Sequence, residues 1–394
     1  MPASELTGES LYHDPYPVYE RLRAEAPVAF FEGTKEYLVT RYADCRDVGS
    51  NDRVFGPSGS PDRPEARVMG MPNVLTMSGE EHRLLREGID DNLTQEAVHG
   101  YVDALVRPVV RDYLAGLRPR GAANLTADLF EPISVRCVGN VIGLTDTPNE
   151  TLVEWFHAMA AGLQNVGDDR AVWDRLDRAL ADIEARLGAL YERALAAPDH
   201  TLMSHVMYGG RPQGQPRSLA EILPTMKVII LGGLQEPGHA AANACTGLLL
   251  NPDQAKAFAA DPEQHALRAF EEGLRWIAPI GVTPRVAAEE IEIAGTTIPA
   301  GASVAIVMAS ANRDETRFEN PDRFDMFRKK RPHLSFGFRP HFCSGHALSR
   351  AMGRIALEEV FRHLPNLRLD DSREVRAKGW RFRGVTDLPA TWDS

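Results

Sequence analysis

Cysteine is scarce in this chain, four in 394 residues, and Cys45, Cys137, Cys245 and Cys343 lie far apart with no Cys-x-x-Cys pair. That spacing argues against a disulfide framework and a zinc site, and leaves no cysteine cluster for an iron–sulfur centre. Positive charge is in deficit. Lys and Arg number 44 against 55 Asp and Glu, a net charge of −11, which makes nucleic acid and anionic membrane surfaces poor partners. No apolar run reaches the roughly 18 residues of a membrane span. Residues 1–13 lack the basic-then-apolar form of a leader, so a cytoplasmic protein without a membrane anchor is expected. No Gly-x-Gly-x-x-Gly followed by an acid occurs, so the chain carries no dinucleotide fingerprint of its own. What is present is 43% hydrophobic content, enough to bury a large core in one large domain or two.

Residues 14–26 carry an amphipathic helical pattern halted by Pro27, followed by strand-like runs at 28–32 and 37–40 and a short helix at 43–47. Residues 51–72, dense in Gly, Pro, Ser and Arg, are expected to form a long loop. Ser78 with Glu81 three residues later has the form of a capping box. The helix it opens puts His82 and Arg86 on one face, a pair able to meet a carboxylate, although such pairs are also common on solvated faces. Helical periodicity dominates 101–117, 129–142, 151–163 and 170–196. Residues 201–217 read as another loop, and a long apolar helix begins near Leu219.

Within that helix, Leu231-Gly232-Gly233-Leu234-Gln235-Glu236-Pro237-Gly238-His239 breaks local rules, because Pro237 cannot donate to the Gly233 carbonyl and clashes with it. An interrupted helix leaves a groove and a free acceptor, and such clusters are where function is expected. A kinked core helix with a solvent-bridged glutamate is the structural alternative. Further on, Glu272 and Arg275 stand at i, i+3, the spacing of a bidentate staple.

The chain is organised around Phe336-Gly337-Phe338-Arg339-Pro340-His341-Phe342-Cys343-Ser344-Gly345. One cysteine sits in a short loop rich in Gly, Pro and aromatics, and a helical pattern follows at 346–364. The free N–H groups and positive dipole end of such a helix suit a thiolate that holds a metal. For Cys343 alone, a buried structural thiol is the plainer reading.

This arrangement resembles the haem-thiolate loop of the cytochromes P450. Phe336, His341, Cys343 and Gly345 match its pattern, and Arg339 stands where the family has glycine. The resemblance runs from about residue 14 to 392 through His82-x-x-x-Arg86, the interrupted helix, Glu272-x-x-Arg275, Arg285, a strand at 298–307, Asn312-Arg313-Asp314 and Phe324-Asp325. It implies a mostly α cytochrome P450 fold with a small β-rich lobe. It implies one domain over 1–394, the first 12 or so residues disordered or extended, and a monomer. It implies haem b on the Cys343 thiolate beside Gly345, with His82, Arg86, Arg285 and His341 around the propionates. NAD(P)H electrons are then expected from a separate flavin/iron–sulfur reductase or ferredoxin, docking near Arg328, Lys329, Lys330, Arg331 and Arg339. Gln235 and Glu236 occupy the places of the family's acid and threonine, so a carboxyl replaces an alcohol on the distal side. That exchange implies a general acid/base at Glu236 and tolerance of hydrogen peroxide as oxidant.

Leu231 to His239, Glu272-Gly273-Leu274-Arg275-Trp276, Glu131-Pro132-Ile133-Ser134-Val135-Arg136 and Gly379-Trp380-Arg381-Phe382-Arg383-Gly384 are similar to the bacterial P450s that O-demethylate lignin-derived methoxyphenols, the guaiacol O-demethylases. The implied reaction hydroxylates an aryl methoxy carbon, and the hemiacetal collapses to a catechol-type phenol and formaldehyde. Phe382 matches one phenylalanine of their small pocket, and Met69 and Leu163 stand where two others would be. Val228, Gly232, Ile280, Val282 and Thr283 complete the expected lining. Loss of two rings implies a substrate larger than guaiacol, such as syringol or an alkylguaiacol. The competing readings are a P450 hydroxylase of secondary metabolism and a non-catalytic haem-binding protein.

Overall fold

Helices form where apolar residues recur every three or four positions, and strands where they alternate. The computed structural model describes residues 6–59, 63–165, 167–212 and 214–393. It opens with α1 (Gly8–His13), α2 (Tyr16–Glu25), β1 (Val28–Phe31), β2 (Glu36–Val39), α3 (Tyr42–Ser50), β3 (Phe55–Pro57), α4 (Pro64–Met69) and α5 (Gly79–Asp90). The N-terminal stretch is therefore not extended throughout: Thr7 and Ser10 cap α1 reciprocally and Leu11 is fully buried. Residues 51–72 are not a plain loop either. β3 pairs with a later strand, and α4 starts on Pro64, whose missing N–H costs nothing at a first helical position. Ser78 does sit at the N-cap of α5, but its side chain makes no capping bond.

α6 (Gln95–Leu117), β4 (Ala122–Asn124), a π turn at Thr126–Phe130, α7 (Glu131–Ile142), α8 (Asn149–Leu163), α9 (Arg170–Ala196) and α10 (Leu202–Tyr208) follow. α6 buries Val98, Val102, Val106, Val110 and Leu114 at four-residue spacing behind a Thr94 cap. α10 lies where a loop was expected at 201–217. Its C-terminal end is tied by the buried Arg217, which donates to the carbonyls of Leu84, Val206 and Gly209, a long-range bond that local pattern does not reveal. The apolar stretch then divides into α11 (Leu219–Leu234) and α12 (Glu236–Leu249), with Gln235 at the break. Ser218 and Glu221 make a full capping box at its start.

The remaining elements are α13 (Pro252–Ala260), α14 (Pro262–Trp276), β5 (Thr283–Ala287), β6 (Ile291–Ile293), β7 (Thr296–Ile298), β8 (Ser303–Ile306), α15 (Met308–Ala311), α16 (His346–His363), β9 (Arg368–Leu369), β10 (Arg376–Lys378), β11 (Gly384–Asp387) and β12 (Pro389–Thr391). The one strand expected at 298–307 is thus two, parted by a turn with Gly301 at φ +79°. The main sheet runs β1-β2-β8-β5-β3, with β2 and β8 parallel and the other pairs antiparallel. It is covered on both faces. Val39, Val304 and Ile306 join a core with Val48, Phe318 and Phe338, and Leu38 and Ala305 join another with Leu11, Tyr19 and Leu22. The largest core belongs to the helices, where α16 packs on α6, α12 and α14.

Candidate active site

Three of the four cysteines are buried and Cys343 is exposed, so it is not a structural thiol. Its loop is anchored in two cores. Phe338 packs on the sheet side against α3, where a Cβ at Gly49 would lie 2.4 Å from the ring. Phe336 packs against the helical core, with the Arg350 guanidinium carbon 4.3 Å from its ring centre. Between them the backbone turns through Gly337 at φ +75° and Arg339 at φ +44°. The family's glycine turn therefore survives on an arginine, at a cost of roughly 1–2 kcal/mol. The Cys343 N–H donates to Phe336 O at 2.8 Å and its carbonyl accepts from the His346 N–H at 3.3 Å. The thiol opens on a cleft walled by protein. Burial there pushes it up to about 11, the Gly345 N–H, Arg86 and Arg350 pulling down and Glu236 pushing up. A bare thiol is thus neutral at pH 7, and a bound metal would displace its proton.

α5 faces this loop. Arg86 donates to Pro340 O at 2.9 Å and Phe342 O at 2.8 Å and pairs with Asp90 at 3.0 Å, so it tethers the cysteine loop. His82 is buried with its ring 4.5 Å from that of His341, and its Nε2 has no partner among the described residues. Arg285 of β5 is buried and donates to its neighbour's carbonyl, Pro284 O, at 2.8 Å. Burial drives His341 down to about 3, helped by Arg285, His82 and Arg86. Burial, then Arg86, lowers His82. Buried donors crowded in this way call for an anion.

Across the cleft lies the α11–α12 break. α12 approaches α7 closely because Gly238 has no Cβ; one there would sit 2.5 Å from Phe130 O and 3.0 Å from Ser134 Cβ. Gln235 is buried, and its Nε2 donates to Glu131 Oε1 at 3.1 Å. The same oxygen lies 2.8 Å from His157 Nε2. Glu236 is different. Both its carboxyl oxygens are buried without a partner among the described residues, and burial pushes it up to about 8. Its charge acts on the Cys343 thiol, which puts both groups within electrostatic reach. Glu131 and His157 were not singled out from sequence as site residues. The Glu-Pro opening of α7 was visible, but not a partner 104 positions away.

The expected pocket residues divide. Ile280 and Phe382 form an antiparallel bridge, and Gly281 N–H to Arg381 O at 2.8 Å and Arg383 N–H to Pro279 O at 2.9 Å join the two segments into one wall. Thr283 bonds to Met308 Sδ at 3.7 Å. A Cβ at Gly232 would meet nothing within 4 Å, so α11 presents open space there. Leu163 and Val228 lie half-buried on the main core. Met69 and Val282, at 5% and 4% exposure, are instead enclosed, Met69 in the helical core and Val282 in the small core with Leu11 and Tyr19. Sequence reasoning also missed Glu36. This buried carboxylate of β2 pairs with Arg63 at 3.1 Å and Arg381 at 2.5 Å, pinning the entrance to α4 and the Phe382 turn.

On the outer surface Lys329, Lys330, Arg331 and Arg339 are exposed. Arg328 does not belong with them. It pairs with Glu272 at 3.1 Å and donates to the carbonyls of Asn320 and Arg323, bracing the buried, bidentate Glu272–Arg275 pair at 2.7 and 2.8 Å. Among the described residues no helix is long and apolar enough to cross a membrane.

A thiol presented at a helix start, a buried donor cluster wanting carboxylates and a broken helix opposite define a haem-thiolate protein. Residues 267–376 match the family model described as Cytochrome P450. The chain is 30% identical over 377 residues to the steroid C26-monooxygenase of Mycolicibacterium smegmatis, covering 95% of this chain and 92% of that protein. It is 28% identical over 397 residues to the vitamin D(3) 25-hydroxylase of Pseudonocardia autotrophica, covering 98% and 96%. Its structure matches the crystal structure of P450BioI in complex with hexadec-9Z-enoic acid ligated acyl carrier protein with a TM-score of 0.87 at 26% identity, covering 98% and 100%. The chain belongs to the cytochrome P450 family. Haem b and electrons from a separate redox partner follow from that membership. The exposed Cys343 thiol, the orphaned His82 Nε2 and the Arg285 guanidinium suit such a group.

Proposed function

We propose that this cytochrome P450 O-demethylates a lignin-derived methoxyphenol, with syringol or an alkylguaiacol preferred over guaiacol, giving a catechol-type phenol and formaldehyde. The observation that carries this reading is the α11–α12 break, where Gln235 is tied down and Glu236 keeps a carboxyl that has no partner among the described residues and is mostly protonated at neutral pH. That Gln-Glu pair lies in one of the segments that resemble the methoxyphenol demethylases. Haem, held by the Cys343 sulfur, would supply the oxidising chemistry, and a thiolate ligand would add electron density to it.

The chain's own residues do the rest. Cys343 provides the sulfur, and even a Cβ at Gly345 would come no nearer to it than an ordinary contact at 3.9 Å. His82, His341 and Arg285 would receive the propionates, and Arg86 holds the loop. Glu236, across the cleft from Cys343, would give and take a proton, and Gln235 fixes the chain beside it. Phe382, Ile280, Thr283, Leu163, Val228 and the gap at Gly232 shape the substrate space, with Met69 and Val282 supporting it from behind. The exposed Lys329, Lys330, Arg331 and Arg339 receive the reductase or ferredoxin. The reaction balances as aryl methyl ether, dioxygen, two electrons and two protons to phenol, formaldehyde and water. With hydrogen peroxide, the peroxide supplies the oxygen atom and accepts the two electrons, leaving water.

Titration of the haem-loaded enzyme with guaiacol, syringol and alkylguaiacols, read by the Soret shift and by formaldehyde release, tests the reading. Tight guaiacol binding without response to syringol or alkylguaiacols would overturn the preference. The steroid and vitamin D chemistry of the relatives favours a second reading, a hydroxylase of a bulkier secondary metabolite. A Soret shift with a steroid and none with any methoxyphenol would select it.

A further inference from the structure

A second guanidinium stands beside the cysteine loop. The Cys343 backbone has two partners, Phe336 O for its N–H and the His346 N–H for its carbonyl. Arg350, one turn along α16 from His346, touches the side chains of both. Its guanidinium carbon lies 4.3 Å from the centre of the Phe336 ring, and its Nη1 meets His346 Nδ1 at 2.8 Å. Arginine can only donate, so His346 Nδ1 is the acceptor. From the other side Glu271 of α14 accepts from Arg350 Nε at 2.7 Å, and its second oxygen lies 3.4 Å from His333 Nε2. The Ser335 N–H donates to His333 Nδ1 at 3.2 Å, which leaves Nε2 to carry a proton toward that oxygen. Burial pushes the Glu271 carboxyl up, but His333 and Arg350 outweigh it and bring it down to about 2, so Glu271 is an anion at neutral pH.

We propose that Arg350 is a positioning residue that brings positive charge to bear on the Cys343 sulfur, and that Glu271 limits how much of that charge the sulfur receives. A thiolate gains from a nearby cation, and gains more when an electron added to the iron it holds makes the pair more negative. Arg350 and Glu271 therefore act on one atom in opposite senses. Two other groups act on the thiol. Arg86 is committed to the loop carbonyls of Pro340 and Phe342 and paired with Asp90, and Glu236 is kept mostly neutral by burial. Among the described residues Arg350 bonds only to Glu271 and to His346 of its own helix, so changing it cuts no backbone bond of the loop. The inference rests on the haem-thiolate class and not on which substrate is oxidised.

Potentiometric titration of the substrate-free ferric holoenzyme with dithionite tests it. One electron reduces ferric to ferrous haem, and no bond of the chain is made or broken. Arg350→Gln should lower the potential, the ferrous-to-ferric ratio at a fixed poise falling about tenfold, a shift of about 59 mV for one electron. Glu271→Gln should raise that ratio by about threefold or more. Arg350→Lys, which restores the charge, should recover most of the wild-type value. A thiolate-type carbon monoxide band in all three variants shows that the ligand is in place. A pair that only props the loop would move both potentials the same way or neither. Shifts of the same sign, or a wild-type potential in Arg350→Gln or Glu271→Gln, overturn the proposal. If Glu271→Gln fails to retain haem, Arg350→Gln against Arg350→Lys decides alone, equal potentials overturning the proposal. Because no methoxyphenol enters the titration, its failure leaves the substrate assignment untouched.

Discussion

On the Cys343 side of the cleft, the cysteine loop is bound to Phe336 and His346 of its own chain, tethered by Arg86 and anchored by Phe338 in a separate core. On the Glu236 side the helix is broken, and the residue after the break has a buried carboxyl with no partner among the described residues. The first side is over-determined and the second is left unsatisfied. A ligand atom must stay in place through turnover, so rigidity is what the first needs. A group that exchanges protons needs an environment that holds its pKa near the working pH, and burial without a partner does that.

Replacing Cys343 should give the largest effect. Cys343→Ser is expected to abolish the thiolate-type carbon monoxide spectrum and monooxygenase turnover; a retained thiolate-type band would erase the distinction between the sides. Next comes pH. Between the 4.5 of a free glutamate and about 8, Glu236 binds more proton in the folded than in the unfolded state, so stability should fall as pH rises through that window and level off above it. The loss amounts to roughly 5 kcal/mol at most. Urea unfolding at pH 5 and pH 8 should show the slope in wild type and its reduction in Glu236→Gln. On the rigid side, Glu272→Ala leaves Arg275 buried without its carboxylate and should cost about 3–5 kcal/mol in the same assay. The smallest effect is expected at Arg339, whose positive φ suits glycine. Arg339→Gly should stabilise by about 0.5–1 kcal/mol, seen as a raised unfolding temperature with an unchanged Soret band.

Much of the molecule was legible locally. The α11–α12 break follows from Pro237, and the helical core follows from regular apolar spacing such as that of α6. Other expectations failed where distant residues decide. α10 depends on Arg217 reaching Leu84, and Arg328 turns inward to Glu272 instead of joining the basic patch. The Ser78 capping box has the right spacing yet no bond. Within the site, Arg86 has the expected position but is committed to loop carbonyls.

The residue types and spacing around Cys343 carried the resemblance from which the haem-thiolate class was expected, because the cysteine, its neighbouring glycines and the helix that follows are all local in the chain. Only tertiary structure decided that Glu236 lies buried without a partner among the described residues, that Glu131 and His157 hold Gln235 beside it, and that Met69 and Val282 are closed in. Burial is a property of the surroundings on every side, and here those surroundings come from elements more than a hundred residues apart.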